Sequence, residues 1–236
     1  MLSIEHLTKT YGDLRAVDDL SLTVEPGDIY GFIGHNGAGK TTTLRAVSGI
    51  LAFDSGRITV CGRSIMDEPI ACKRMMAYIP DNPDLYDHLT GIQYLNFVAD
   101  IYGVSAADRD ARIQKYGDAL EITPRLNELI AACSHGMKQK IAVISALVHA
   151  PKLLLLDEPF VGLDPKAAFV LKQLMHELTS DGGAIFFSTH VLEVAEKLCN
   201  KIAIIKNGRL LAAGDMDAVK GEESLEEVFL ELTDHA

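Results

Sequence analysis

Gly34-His35-Asn36-Gly37-Ala38-Gly39-Lys40-Thr41-Thr42 follows the apolar run Ile29-Tyr30-Gly31-Phe32-Ile33, which reads as a buried strand. It leads into Thr43-Leu44-Arg45-Ala46-Val47, which reads as the start of a helix. This is the G-x-x-x-x-G-K-[ST] pattern in the strand–loop–helix setting that a phosphate loop requires. Glycines let the backbone curl so that successive N–H groups point inward, and the helix N-terminus adds partial positive charge. Lys40 supplies a full charge for the β- and γ-phosphates of a nucleotide, and the Thr41 hydroxyl can ligate Mg²⁺.

A phosphate loop serves kinases, GTPases and motors alike, so later residues must choose among them. Leu153-Leu154-Leu155-Leu156-Asp157-Glu158 is an apolar run ending in two acids. A fully buried parallel strand has this pattern, with its carboxyl end opening onto a site. Asp157 is then expected to hold Mg²⁺ opposite Thr41, and Glu158 to orient or deprotonate an attacking water. Upstream, Ser134-His135-Gly136-Met137-Lys138-Gln139-Lys140 opens a long apolar-periodic stretch, with Ser134 as the helix N-cap.

In its order of motifs the chain resembles the ATP-binding-cassette (ABC) family. That family's Ser-Gly-Gly-Gln signature occupies the place of Ser134–Met137. The resemblance implies that Ser134, Gly136 and the helix start bind the γ-phosphate held by an opposite subunit. His135 and Met137 depart from the pattern, standing where the family has Gly and Gln. Val161-Gly162-Leu163-Asp164-Pro165 is similar to the family's D-loop, which crosses the dimer interface, so Asp164 joins the expected nucleotide contacts. Ala184-Ile185-Phe186-Phe187-Ser188-Thr189 is a further apolar strand, and the following His190 matches the switch histidine that contacts γ-phosphate and water. Tyr11, just before Gly12, fits the aromatic loop that stacks on adenine, with Val17 as apolar backing. Asp81 stands where the family has a Gln that touches Mg²⁺; a hard acidic oxygen suits the same metal, and the alternative is an Asp opening the turn Asp81-Asn82-Pro83-Asp84.

Composition is compatible with these readings. The 236 residues, 48% of them hydrophobic, suffice for one large domain or a domain with an inserted lobe. No apolar run approaches the ~18 residues of a membrane-spanning helix, and Met1-Leu2-Ser3-Ile4-Glu5 lacks the look of a signal peptide. Cys61, Cys72, Cys133 and Cys199 lack paired spacing and read as reduced thiols, neither a disulfide frame nor a zinc site. A net charge of −11 argues against a nucleic-acid surface. Residues 215–236 carry eight acids against the single Lys220. Within them Leu225, Val228, Phe229 and Leu232 have the spacing of an amphipathic helix, expected to pack on the core or on a dimer mate.

The expected fold is α/β: a P-loop NTPase ABC ATPase core with a small antiparallel β-subdomain and an inserted α-helical subdomain. Strands are expected near Leu2–Thr8, Ala16–Val24 and Arg57–Val60, forming the antiparallel part, and at 29–33, 75–79, 153–157, 184–188 and 201–205 in the layered core. Helices are expected at Ile92–Tyr102, Ala106–Leu120 and Met137–Ala150, with a hairpin at Asn207-Gly208. This makes a single domain, with 1–84 and 151–214 as core, 85–150 as helical subdomain and 215–236 as tail.

The resemblance implies an ATP-hydrolysing subunit, with ATP and Mg²⁺ as cofactors. Glu158, His190 and Lys40 are its expected catalytic residues, and residues 34–42 its phosphate cradle. Two such cassettes, alike or different, are implied to clamp two ATP and power export by a separate transmembrane permease subunit. That places the chain in the cytoplasm, peripheral on the inner face of the cell membrane. Leu85 and Tyr86, in the loop Asp84–Thr90, are expected to be exposed anchors for the permease, the alternative being a loop packed on its own lobe. The other functional reading is a soluble ABC ATPase acting in assembly or remodelling, for example of the iron–sulfur type. A small-molecule kinase would need none of the signature, the D-loop or His190.

Overall fold

The computed structural model describes residues 1–234; His235 and Ala236, the end of the expected tail, lie outside the described residues. The described chain divides into two compact units. The first comprises Met1–Tyr78, Lys152–Pro159 and the segment from Met175 onward; the second comprises Ile79–Pro151 and Phe160–Leu174.

The first unit holds two sheets. Strands β1 (Leu2–Tyr11) and β2 (Leu14–Val24) form an antiparallel hairpin in which Leu2 faces Val24 and Tyr11 faces Leu14. Strand β4 (Ser55–Val60) pairs on the other side of β1, and the two-residue β5 (Arg63–Ser64) extends the sheet to the order β2-β1-β4-β5. The hairpin strands run longer than the apolar pattern predicts, because ladder bonds continue through the polar residues up to the turn at Gly12-Asp13.

The larger sheet has the order β10-β9-β3-β8-β7-β6. It comprises β3 (Ile29–Ile33), β6 (Met76–Ile79), β7 (Leu153–Asp157), β8 (Ala184–Thr189), β9 (Lys201–Lys206) and β10 (Arg209–Asp215). Every residue of β3, β7 and β8 is buried, as strands covered on both faces must be. These three are neighbours and run parallel, as do β3 and β9. Their carboxyl ends therefore arrive side by side at one sheet edge, the place where open α/β sheets bind ligands. Strands β9 and β10 close a hairpin at Asn207 (φ 50°) and Gly208 (φ 80°), the left-handed pair that a tight two-residue turn demands.

Helices α1 (Lys40–Val47), α2 (Pro69–Met75), α7 (Leu192–Leu198), α8 (Met216–Lys220) and α9 (Leu225–Asp234) belong to the same unit. The apolar pattern did not predict α2, a short helix opened by Pro69 at its first position. The acidic tail does form a helix, and it folds back on its own chain, with Leu225 fully buried and Phe229 5% exposed.

The second unit is helical: α3 (Gly91–Ile101), α4 (Ala106–Ala119) and α5 (His135–Leu147), with 3₁₀ turns at Thr123–Arg125 and Ile130–Ala132. Helix α3 starts with a reciprocal cap between Thr90 and Gln93, and α3, α4 and α5 pack on one another. Helix α5 ends at Leu147, short of the expected Ala150, because Ala150 (φ 53°) turns the chain ahead of Pro151. Helix α6 (Pro165–Ser180) has its first ten residues in this unit and the rest in the first.

The large sheet is seamed by aromatic rings. Phe186 lies 5.2 Å from Phe32 and 5.8 Å, edge-on, from Tyr30. Burial, with Asp28 and Asp215 nearby, pushes the Tyr30 hydroxyl up to about 12. Phe186→Ala is expected to cost about 3–5 kcal/mol of stability, read as a lowered urea midpoint with an unchanged m-value.

Candidate active site

Three neighbouring parallel strands deliver the first unit's site residues. Residues 34–42 follow β3, Asp157 ends β7 with Glu158 directly after it, and His190 follows β8. The loop after β3 curls over its own lysine: Lys40 Nζ donates to the carbonyls of Gly34 (2.6 Å) and His35 (3.2 Å). Two glycines make that curl possible. Gly39 caps α1 at φ 108°, and a Cβ there would sit 2.3 Å from the Ala16 carbonyl; one on Gly34 would sit 2.5 Å from the Ile205 carbonyl. The hairpin turn braces the loop from the side, since Gly208 N–H donates to the Ala38 carbonyl (2.9 Å) and the Gly208 carbonyl accepts from Asp18 N–H (2.9 Å).

Lys40 is 6% exposed. Burial lowers its pKa, while the Glu158 and Asp157 carboxylates pull it back up. Glu158 Oε1 lies 3.6 Å from Lys40 Nζ and 3.0 Å from His190 Nδ1. Neither approach has hydrogen-bond geometry, so this buried oxygen holds acceptor capacity in reserve. Glu158 itself sits at φ 48°, a left-handed backbone that costs roughly 1–3 kcal/mol. The strain is held by Ser188, whose carbonyl (3.2 Å) and hydroxyl (3.1 Å) both accept from Glu158 N–H. The Ser188 hydroxyl in turn donates to Asp157 Oδ1. Its signal in the sequence is a serine next to the end of an otherwise apolar buried strand.

Asp157 is 1% exposed, and its Oδ2 is buried without a hydrogen bond. A buried hard oxygen with open acceptor sites fits Mg²⁺, and Thr41, second in α1, offers a hydroxyl of the same hardness. No group of three or more His, Cys, Asp or Glu residues that could hold a metal occurs among the described residues.

At the tip of the β1–β2 hairpin Tyr11 is half-exposed, with Lys9 Nζ 5.3 Å from its ring centroid. Val17 does not share that surface. It is fully buried in the core, because the inward face of β2 claims it, so its expected contact with an adenine ring is not available. The exposed apolar neighbour of Tyr11 is Leu14, its cross-strand partner.

The remaining expected residues lie on the second unit. Ser134 caps α5 through Met137 N–H (3.3 Å) and is exposed, with Gly136 in the first turn. The Asp164 carboxylate accepts from Ala167 N–H (2.8 Å), capping α6, and lies 2.9 Å from Lys140 Nζ; these two contacts hold its pKa down. The His135 ring lies over Gly162, where a Cβ would come within 2.3 Å of His135 Cδ2. Exposed Asp81 turns its carboxylate onto Asn82 N–H (2.8 Å). Leu85, expected to be exposed, is 6% exposed: its loop is pinned at Asp87 and Leu89 to the 3₁₀ turn Ile130–Ala132, which turns Leu85 inward. Tyr86 remains half-exposed beside Tyr94 and Phe97.

The family model described as ABC transporter matches residues 17–161. The chain belongs to the ABC transporter family. Its ABC-type transporter ATP-binding relative EcsA of Bacillus subtilis is 34% identical, covering 99% of this chain and 96% of the relative. The Nod factor export ATP-binding protein I of Cupriavidus metallidurans is 35% identical over 91% of this chain and 71% of the relative. A solved structure described as the ATP binding subunit of an ABC transporter matches with a TM-score of 0.95 and 35% identity, over 99% of both chains. This ABC protein is accordingly an ATP-binding subunit and an ATP hydrolase, with the α/β ABC ATPase fold. No helix among its described residues is long and apolar enough to cross a membrane.

Gly39→Ala tests the curl of the loop. The strained φ and the 2.3 Å approach predict a fall of tenfold or more in ATP affinity, measured by isothermal titration against the parent cassette.

Proposed function

We propose that this ATPase powers export of a substrate through a separate transmembrane permease subunit, working as a pair of cassettes around two ATP molecules. The observation that carries the chemistry is the Lys40–Glu158–His190 cluster, one buried carboxylate oxygen approached by two basic groups. Lys40 and the amides of residues 34–42 bind the triphosphate, and Tyr11 stacks on the base. Thr41 and Asp157 would hold Mg²⁺, which would supply charge neutralisation to the triphosphate. Glu158 takes the proton of the attacking water, and His190, facing it, holds that carboxylate and the γ-phosphate in line.

The capped start of α5 at Ser134 and Gly136, with Asp164, serves the ATP of a second cassette, alike or different. ATP then acts as a ligand of the closed pair, and hydrolysis resets it. Export is favoured over the assembly-factor reading by similarity to a relative whose name specifies export, and a membrane partner places the cassette on the cytoplasmic face of the membrane.

Two experiments test this. Glu158→Gln is expected to slow hydrolysis by a hundredfold or more while ATP binding persists, so that an ATP-dependent dimer accumulates in size-exclusion chromatography. A variant that hydrolyses ATP normally would remove Glu158 from the chemistry, and one that stays monomeric would remove the paired cassette. In a tagged pull-down from detergent-solubilised native membranes, a stoichiometric polytopic membrane protein is the expected partner. Recovery of soluble partners only would favour the assembly-factor reading.

A further inference from the structure

The C-terminal helix reaches the nucleotide loop, and no role assigned so far uses that contact. The Phe229 ring stands edge-on to the His35 ring, with centroids 4.9 Å apart and planes at 67°. The His35 carbonyl is a hub of the loop's curl, accepting from Ala38 N–H (3.1 Å) and from Lys40 Nζ (3.2 Å). His35 is exposed, whereas Phe229 is 5% exposed and anchored.

We propose that Phe229 is a positioning residue for ATP binding: through His35, helix α9 holds the phosphate loop in its phosphate-accepting curl. The inference rests on the reading of residues 34–42 as the site of the triphosphate.

Helix α9 is built to carry such a load. It opens with a reciprocal cap, in which Ser224 N–H donates to Glu227 Oε2 (2.9 Å) and Glu227 N–H to Ser224 Oγ (3.3 Å). Leu225 is fully buried one turn before Phe229. At the far end the Thr233 carbonyl accepts from Lys206 Nζ, and the Thr233 hydroxyl donates back to the Phe229 carbonyl (2.7 Å). Lys206 ends β9 directly before the Asn207-Gly208 turn, which donates to Ala38 in the same loop. The helix is thus tied to the loop by a ring contact and by the base of the bracing hairpin. Without the Phe229 edge, the His35 ring and its peptide gain freedom that ATP must remove on binding, and affinity bears that cost. The cost falls before ATP binds: once the triphosphate is seated the loop is already ordered, so the effect is on affinity and KM more than on kcat. Linkage requires the reverse effect as well: bound ATP stabilises α9.

The test uses the full chain, with ATP affinity by isothermal titration, steady-state ATPase kinetics and thermal melts. Phe229→Ala is expected to raise Kd and KM for ATP about three- to tenfold, with kcat within about twofold of the parent. Phe229→Leu keeps most of the buried volume while removing the aromatic edge, so it should shift KM the same way with little change in Tm. Leu230→Ala, on the exposed side of the helix, should change nothing. In a His35→Ala background, Phe229→Ala should add no further loss of affinity, because the contact is already gone. A merely structural Phe229 would lower Tm and kcat together, regardless of residue 35. Unchanged ATP affinity in Phe229→Leu and Phe229→Ala, or a full shift persisting without His35, would overturn the proposal while leaving the ATP site intact. A parent protein that binds ATP without residues 34–42, as shown by undiminished affinity in Lys40→Ala, would instead overturn the reading beneath it.

Discussion

A lysine ammonium held away from water is the constraint on which this site depends. Lys40 is nearly buried, and an isolated buried charge is costly enough that the group would otherwise shed its proton. The chain answers from two directions: the carbonyls of Gly34 and His35 in its own loop accept from it, and the charges of the Glu158 and Asp157 carboxylates at the end of β7 favour its protonated form. Each has its own structural requirement. The carbonyls face inward only if Gly39 takes a left-handed backbone against Ala16. The carboxylates arrive only if β7 lies next to β8, which in turn lies next to β3.

The same arrangement explains the reserve of acceptor capacity at the sheet edge. Glu158 Oε1 and Asp157 Oδ2 are buried without hydrogen bonds, a state that a stable core avoids and a ligand site can use. Ser188 keeps the pair from relaxing, donating to Asp157 and receiving the Glu158 amide. The left-handed backbone at Glu158 is local strain held by the Ser188 contacts. The acids are thus fixed in place within the protein, and a ligand that met them would leave less ordering to be done on binding.

Much of the fold was legible because its parallel strands are unbroken apolar runs. Ile29–Ile33 and Leu153–Asp157 match the expected bounds residue for residue, and Asn207-Gly208 announced its turn chemically. Element ends were less legible, since they depend on where ladders and caps stop. Helix α5 yields to the turn at Ala150, and α2 is too short to show a period. At the site, local pattern identified the groups that carry charge. It misplaced Val17 and Leu85, because an apolar side chain near a loop gives no sign of which way it faces until its partners are known.

The sequence alone determined the phosphate-binding loop, the acid pair, the capped helix at Ser134 and the membership in a family of ATP-driven cassettes. These are properties of short stretches, in which glycine torsions, caps and apolar runs act over a few residues. The tertiary structure decided which strand ends meet, that Ser188 yokes Asp157 to Glu158, that Leu14 rather than Val17 shares the surface with Tyr11, and that Phe229 of the acidic tail lands on His35. Apart from the Tyr11–Leu14 pair, whose orientation the hairpin register sets, those are contacts between segments far apart in the chain, set by how buried surfaces pack together, which no local pattern encodes.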